Sequence, residues 1–468
     1  MNLDDTIAAI ATPLGEGGLA VIRISGAEAL KIAERSFVPV GKNSRKPTEA
    51  ETHTLHFGKI VRHGKVVDEV LLAVMRAPRT FTREDVVEIS CHGGLLPAKM
   101  VLETVLENGA RLATPGEFTK RAFLNGRIDL AQAEAVADLI HSRTELALAA
   151  ANEQLAGKLS QRINALRDDL MKVLAHVEAH IDFPDEDIAP DTKEKLISRL
   201  ESAASFMGEL LRTANEGQIL RRGIRAAIIG RPNAGKSSLL NQLLGRDRAI
   251  VSPIPGTTRD TIEETANIRG LPVIFIDTAG LRESGDEIEI EGIRRSRESL
   301  ASAEFILLVL DNSEPMTPAD EKFLAEFSSK KRILVRNKID LPAKLDCGLK
   351  TDLAKNPQSA IANSQFIDVC CLSGKGIEAL KDEIKNLVWS GEIKAEMLQV
   401  MINSRHQDAL NRARAATERT ISALRENLTL ELAALDLRIA ANAVGEVVGK
   451  TSTEDLLDSI FSQFCLGK

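Results

Sequence analysis

The sequence predicts a multidomain protein of mixed α+β and α/β class. Its N-terminal α+β domain is followed by an α-helical domain that is split in sequence, and a P-loop α/β domain lies between the two helical halves. Three observations carry this. Near-continuous apolar strands alternate with helices from Arg222 onward, the mark of a parallel sheet covered on both faces. Residues 129–181 contain no Pro and one Gly and are rich in Ala, Leu, Gln and Glu, which reads as helix. The stretch "GRPNAGKSSLLN" (230–241) matches a phosphate-binding loop.

Within residues 1–122, "GGLAVIRISG" (17–26), "THTLHFGKIV" (52–61) and "VVDEVLLAVMRAP" (66–78) predict strands. "LLPAKMVLETVLENG" (95–109) predicts a helix closed by Gly109. The first helical half covers 123–218, interrupted by the acidic, proline-bearing "DFPDEDIAPDT" (182–192) and resuming from Lys193 to Gln218. The α/β domain spans 219–388, with strands at 224–230, 272–277, 304–311 and 332–338. From 389 to 468 the chain again reads as helix.

Composition narrows the function. The chain has 468 residues, room for about two to four domains. Its net charge of −7 rules out a uniformly basic nucleic-acid binder, and 3% aromatics with no Tyr argue against base reading by stacking. The five cysteines (Cys91, Cys347, Cys370, Cys371, Cys465) form no C-x-x-C pair and suit a reducing cytoplasm. The N-terminal segment lacks the basic and apolar regions of a signal peptide, and no apolar run approaches the roughly 20 residues of a membrane span.

The nucleotide motifs form an ordered set. Gly230-x-x-x-x-Gly235-Lys236-Ser237 follows a predicted strand and opens a helix, so backbone N–H groups wrap phosphates, Lys236 reaches the β- and γ-phosphates, and Ser237 ligates Mg²⁺. In "DTAG" (277–280), Asp277 would hold Mg²⁺ through water and the Gly280 N–H would sense the γ-phosphate. In "NKID" (337–340), Asp340 would accept from the two guanine nitrogens N1 and N2, which adenine cannot match. "PGTTRD" (255–260) lies where a switch would bring Thr258 to Mg²⁺. Together these predict a Ras-like GTPase domain. Leu281 stands where Ras-like enzymes carry a water-orienting Gln. Any of several carboxylates in "ESGDEIEIEG" (283–292) could take over that task. No arginine finger is evident, and Asn233 could instead ligate a monovalent cation beside the phosphates.

The whole chain resembles the MnmE (TrmE) family of tRNA-modification GTPases. The resemblance rests on "GRPNAGKSSLLN", "GTTRD", "DTAGLR", "RNK.D" and the end "FCLGK". It also rests on "ATPLGEGGLAVIRISG" (11–26), "FTREDVVEISCHGG" (81–94), "TPGEFTKRAFLNGRIDLAQAEAVADLI" (114–140) and "IDFPDED" (181–187). It implies that the chain acts with the FAD-dependent MnmG (GidA) as a heterotetramer, adding a carboxymethylaminomethyl-type group to C5 of the wobble uridine of certain tRNAs. It implies a 5-formyl- or methylene-tetrahydrofolate bound by an N-terminal domain that also forms a constitutive homodimer, with G domains that meet in a K⁺-dependent way to stimulate hydrolysis. K⁺ would be held by Asn233 and by backbone groups of Ser252, Ile254 and Thr257. Glu289 would orient the hydrolytic water, and Arg23, Glu88, Arg127 and Lys468 would bind the folate. The GTP-binding set implied is Asn233, Ala234, Gly235, Lys236, Ser237 and Ser238 in the P-loop, and Ser252, Pro253, Ile254, Pro255, Gly256, Thr257 and Thr258 in the switch. Asp277, Thr278, Ala279, Gly280, Asn337, Lys338, Asp340, Cys370, Cys371 and Leu372 complete it. Cys370-Cys371-Leu372 replaces the Ser-Ala-Lys usual in a loop that contacts the base through its backbone.

Other features weigh less. His176 and His180 are four apart with Glu178 between, but H-x-E-x-H is not the H-E-x-x-H zinc pattern. Cys465 could pack the tail or act as a thiol in modification, and the sequence leaves both open. The competing class is a ribosome-assembly GTPase of the Era or Der kind, which would carry an RNA-binding domain downstream or a second G domain.

Overall fold

The computed structural model describes residues 5–41, 45–182, 192–245, 263–276, 300–345, 366–389, 398–451 and 453–467. The chain divides into two compact units. The first comprises Met1–Ala137, Gln154–Glu209 and Arg405–Lys468, and the second Asp138–Glu153 and Leu210–Ser404. These units cut the chain differently from the composition segments. Ala147 and Ala150 of the helix Glu145–Leu155 pack with Leu220, Leu271, Trp389 and Met401, so that helix belongs with the P-loop sheet.

The first unit contains a seven-stranded sheet: β1 (Ile7–Ile10), β2 (Leu19–Ser25), β3 (Phe37–Pro39), β4 (Thr54–Arg62), β5 (Lys65–Met75), β6 (Val86–His92) and β7 (Arg111–Leu112), in the order β3-β4-β5-β6-β2-β1-β7. All pairs are antiparallel except β1 with β7. Alternation sends Ile22, Ile24, Leu72, Val74, Val87 and Ile89 to a core shared with Ile32 of the helix Ala29–Ser36 and Val101 and Val105 of the helix Leu95–Glu107. On β1, Ile7 and Ala9 instead join Ala113 and Phe118 in a separate cluster.

The helical part of this unit is built on the helix Lys158–Asp182. Its Ile163, Leu166, Leu170, Val173, Leu174 and Val177 repeat at helical spacing and are buried. It packs on the helix Leu430–Val448, whose buried Ala433, Ala434, Leu437, Ala440 and Ala441 are mostly small. The helical region expected over 129–181 is found as three helices, Leu130–His141, Glu145–Leu155 and Lys158–Asp182. Thr144 caps the second through Ala147 N–H, and Gly157 (φ +82) breaks the chain before the third.

The second unit holds a six-stranded sheet: β8 (Ile224–Ile229), β9 (Glu263–Ile268), β10 (Leu271–Ile276), β11 (Phe305–Asp311), β12 (Arg332–Asn337) and β13 (Phe366–Asp368), in the order β13-β12-β11-β8-β10-β9. The predicted parallel sheet is found, with one addition. The edge strand β9 runs antiparallel to β10 because Arg269 (φ +53) and Gly270 (φ +89) form a two-residue hairpin turn. Cores lie on both faces, one with Leu239, Leu243, Leu380 and Ile384 and the other with Leu300 and Leu324. The chain leaves central β8 for the β9–β10 hairpin on one side and then crosses to β11 on the other. That reversal opens a crevice at the C-terminal ends of the strands.

Candidate functional site

The phosphate loop grows from the end of β8. A Cβ on Gly230 would overlap the Val309 carbonyl of β11, so the loop leaves the sheet only through glycine there. Asn233 (φ +64) and Gly235 (φ +97) take left-handed backbone, and the helix Lys236–Leu244 starts immediately after them. The positive dipole end of this helix, facing the loop, suits an anion. Lys236 Nζ donates to the carbonyls of Gly230 (2.9 Å) and Arg231 (2.7 Å), which places its ammonium across the loop. Ala234 is buried beneath the loop, while Asn233, Ser237 and Ser238 are exposed. The Arg231 guanidinium is committed to Asp320 (3.0 Å) and Glu314 (3.1 Å).

The base-side motif joins this loop directly. Buried Asn337, the last residue of β12, donates through Nδ2 to the Ala234 carbonyl (2.9 Å), and its Oδ1 accepts from Cys371 N–H (3.2 Å). One side chain therefore ties the phosphate loop to the base loop. Lys338 (φ +61) donates through Nζ to Asp311 Oδ2 at 2.6 Å. Burial pushes the Asp311 carboxyl up, but Lys338 and Ser313 outweigh it and hold the group below the usual range. Asp340 is exposed, and Oδ1 of its carboxylate accepts from the Cys370 thiol at 3.1 Å. Gln242, on the P-loop helix, donates to the Cys371 carbonyl at 2.8 Å. Leu372 is 90% exposed at the loop tip. Burial, and secondarily Cys370 beside it, pushes the Cys371 thiol up to about 11, which leaves it a neutral core side chain.

The structure thus brings together Asn233, Ala234, Gly235, Lys236, Ser237, Ser238, Asn337, Lys338, Asp340, Cys370, Cys371 and Leu372 at one sheet edge. The switch residues 252–258, Asp277 to Gly280, Leu281 and Glu289 lie outside the described residues. The base loop was expected to act through its backbone. The structure adds the Cys370 thiol and shows that the Cys371 N–H is engaged by Asn337. Sequence reasoning missed Asp311 and Gln242. Asp311 ends an apolar strand run at the sheet's ligand edge, which is a readable signal, whereas nothing local marks Gln242.

A second cluster lies in the first unit. Arg23 on β2 and Glu88 on β6 are direct cross-strand partners, and Nε donates to Oε1 at 2.7 Å. Arg23 Nη1 donates to the Gly467 carbonyl (3.3 Å), and its guanidinium lies 5.7 Å from the Phe118 ring centre. Gly467 (φ +86) fits because a Cβ would overlap the Ile10 carbonyl of β1. The tail is also held where the Gly116 N–H donates to the Cys465 carbonyl (3.4 Å). The Cys465 residue is exposed. Arg127 is exposed, and no contact among the described residues joins it to the Arg23–Glu88 pair. Lys468 lies outside the described residues. Gly467 went unremarked in the sequence although it belongs to the Cys-x-Gly-Lys tail.

His176 and His180 have ring centres 5.0 Å apart, Glu178 is paired with Arg438 (2.7 Å), and no group of three or more metal-capable side chains occurs among the described residues.

Comparison with known proteins adds the following. The family described as the MnmE helical domain matches residues 130–465, and that described as the GTP-binding protein TrmE N-terminus matches residues 6–127. Curated relatives named tRNA modification GTPase MnmE align over nearly the full length of both chains. The protein of Geobacillus thermodenitrificans (strain NG80-2) is 48% identical over 468 residues, covering 99% of each chain. That of Listeria innocua serovar 6a is 47% identical over 466 residues, again 99% of each. That of Bacillus subtilis (strain 168) is 44% identical over 467 residues, 99% of this chain and 100% of the relative. Among solved structures, the Era protein of Aquifex aeolicus is 30% identical, with a TM-score of 0.26, covering 41% of this chain and 66% of that one.

Proposed function

The chain belongs to the MnmE family of tRNA modification GTPases, and on that premise we propose that its GTP hydrolysis, with an FAD-dependent partner of the MnmG (GidA) kind in a heterotetramer, drives attachment of a carboxymethylaminomethyl-type group to C5 of the wobble uridine in certain tRNAs. The observation that carries the reading is the Arg23–Glu88 pair capped by the Gly467 carbonyl. A guanidinium, a carboxylate and a backbone acceptor gathered on a sheet face suit the N–H edge of a pterin and an anionic tail, so a tetrahydrofolate one-carbon donor fits these groups. Arg127 and Lys468 would add positive charge for the tail, and Cys465 would lie beside the bound donor.

In the nucleotide site, Lys236 would move from the Gly230 and Arg231 carbonyls to the β- and γ-phosphates. Asp340 would accept from the guanine N1 and N2 groups. The oxygen donors present suit hard cations. Ser237 and Thr258, with Asp277 through water, would hold Mg²⁺, and Asn233 with backbone groups of Ser252, Ile254 and Thr257 would hold K⁺. When bound, the two cations supply positive charge to the transferring phosphoryl group. The engagement of Arg231 by Asp320 and Glu314 supports a cation in place of an arginine finger. Glu289 would orient water where Leu281 cannot. Exposed Leu55, Phe57 and Leu71 on β4 and β5 support a homodimer through the first unit. The setting is cytoplasmic. Among the described residues no helix is long and apolar enough to cross a membrane.

Mass spectrometry of wobble nucleosides from cells lacking the protein tests the reading: the C5-substituted uridines should disappear, and unchanged uridines would overturn it. GTP turnover should be faster in K⁺ than in Na⁺, and Glu289→Ala should remove turnover while sparing GTP binding. Equal rates in the two salts would remove the cation from the mechanism.

A further inference from the structure

We infer that Arg83 and Arg127 form a subsite for the γ-linked glutamyl chain of a polyglutamylated tetrahydrofolate. The inference rests on the folate reading above and deepens it by naming the form of the donor that is preferred. Arg83 holds a left-handed backbone (φ +59), a conformation that a non-glycine residue rarely adopts. Such an outlier persists only where its surroundings hold it, and it points to function. Here the restraints are visible. Arg83 Nη1 donates to the Asn125 carbonyl (2.9 Å), and Asn125 Nδ2 donates back to the Thr82 carbonyl (2.7 Å). Gly126 lies against the guanidinium, since a Cβ there would sit 3.4 Å from Nη1. The loop that enters β6 is thus laced to the turn that carries Arg127.

Both guanidiniums remain available to a ligand. An arginine offers five N–H donors, and the Asn125 bond uses one of those on Arg83. Arg83 and Arg127 are exposed, and neither has a carboxylate partner among the described residues. The carboxylates nearest to Arg83 in the chain are engaged elsewhere. Glu84 accepts from Ser25 Oγ (2.7 Å) and Arg121 Nη1 (3.1 Å), and Asp85 Oδ1 accepts from the Ala77 N–H (2.9 Å). Two cations without counter-charge therefore meet at one turn, on a chain whose net charge is −7. Phe118, whose ring lies 5.7 Å from the Arg23 guanidinium, is near the start of the helix Glu117–Leu124, and the Arg127 turn follows the end of that helix. Eight residues of helix are about 12 Å long, a spacing that the aminobenzoyl unit of a folate can bridge. Each γ-linked glutamyl unit beyond the first adds one carboxylate. That charge calls for a cation beyond Arg127, and Arg83 supplies it. An RNA phosphate would suit the same cations, but the turn shared with Arg127 and the spacing from Arg23 favour the folate tail.

The test measures, by calorimetry at low ionic strength, dissociation constants of 5-formyl-tetrahydrofolate in its monoglutamate and triglutamate forms. It uses the full-length protein and its Arg83→Gly and Arg127→Ala variants, with melting temperature alongside. The wild type should bind the triglutamate about fivefold more tightly, the size of one exposed ion pair, and added salt should shrink that preference. Arg83→Gly should bring the two forms near parity. Glycine accepts φ +59 without strain, so the fold should be kept. Arg127→Ala should weaken both forms. Where the Arg83→Gly variant melts early, Arg83→Asn gives the same readout, because Asn also tolerates left-handed backbone. Equal affinity of the wild type for the two forms, or a preference that survives Arg83→Gly, overturns the subsite while the folate reading stands. Binding of neither form overturns the folate reading itself. A surviving preference together with weaker tRNA binding would assign the cations to phosphates instead.

Discussion

The nucleotide site and the Arg23–Glu88 site are assembled in opposite ways. The first is made of short consecutive runs: a loop leaving β8, a helix opening after it, and a short motif at the end of β12, the second parallel strand along the sheet. Its phosphate loop offers mostly backbone N–H donors, shaped by left-handed residues and closed by one bridging Asn337. The second is made of side chains that meet only after folding, with Arg23 reaching a carbonyl 444 positions away. A site of backbone and short loops writes itself into a window of sequence. A site of cross-sheet side chains leaves no local trace, and only the fold gathers it.

The strongest test of that contrast asks whether long-range side-chain pairs in the first unit matter to the fold at all. Glu134 is buried against Arg405 (2.8 Å) and His406 (2.8 Å), 271 positions on in the first case. Glu134→Ala should cost about 3–5 kcal/mol in denaturant unfolding, because it strands buried positive charge. Burial pushes this carboxyl up, but His406 and Arg405 dominate and hold it below its usual value near 4.5. A lowered folded value means the contribution is whole above about pH 4.5 and is lost as pH falls further, through the folded value. A wild-type melting temperature that drops more steeply than the variant's below that pH would confirm the sign.

Next in size, Gly235→Val should weaken GDP binding by at least about 100-fold, close to 2.7 kcal/mol. It forces a β-branched residue into φ +97 and drives a Cβ into Asn337 Nδ2. Titration with a fluorescent GDP analogue measures this, and near-normal binding would break the claim that this site is backbone-made. Asn337→Ala should cost about 2 kcal/mol of GDP affinity by leaving the Ala234 carbonyl and the Cys371 N–H without their shared partner. Smallest is Arg23→Ala, which should weaken tetrahydrofolate binding about tenfold by calorimetry while leaving GDP affinity unchanged. A parallel loss of GDP affinity would show that the two sites are not independent.

The same contrast governs what could be read in advance. The four inner strands of the second unit were legible because both of their faces are covered, which makes the apolar run continuous, as in "EFILLVLD". The edge strand β9 was not, since "EETANI" is mostly polar and its hairpin turn, Arg269-Gly270, lacks the usual Asn-Gly signal. β1 and β7 are four and two residues long, too short for a period to show. The breaks at 142–144 and at Gly157 were hidden because strong helix formers flank them on both sides. In the sites, the P-loop and "NKID" announced themselves, while Gln242 and the Gly467 carbonyl act through contacts that no spacing rule anticipates.

The division of the chain also dictates an order of events during synthesis. The first unit is left at Glu209 and resumed only at Arg405, after nearly all of the second unit has been made. At ribosomal speeds of about 5–20 residues per second, the intervening chain takes on the order of tens of seconds to emerge. For that time the buried stripe of Lys158–Asp182 waits without Leu430–Val448, and Glu134 waits without Arg405. The nascent protein thus carries an uncovered apolar helix face until its last helices have been made.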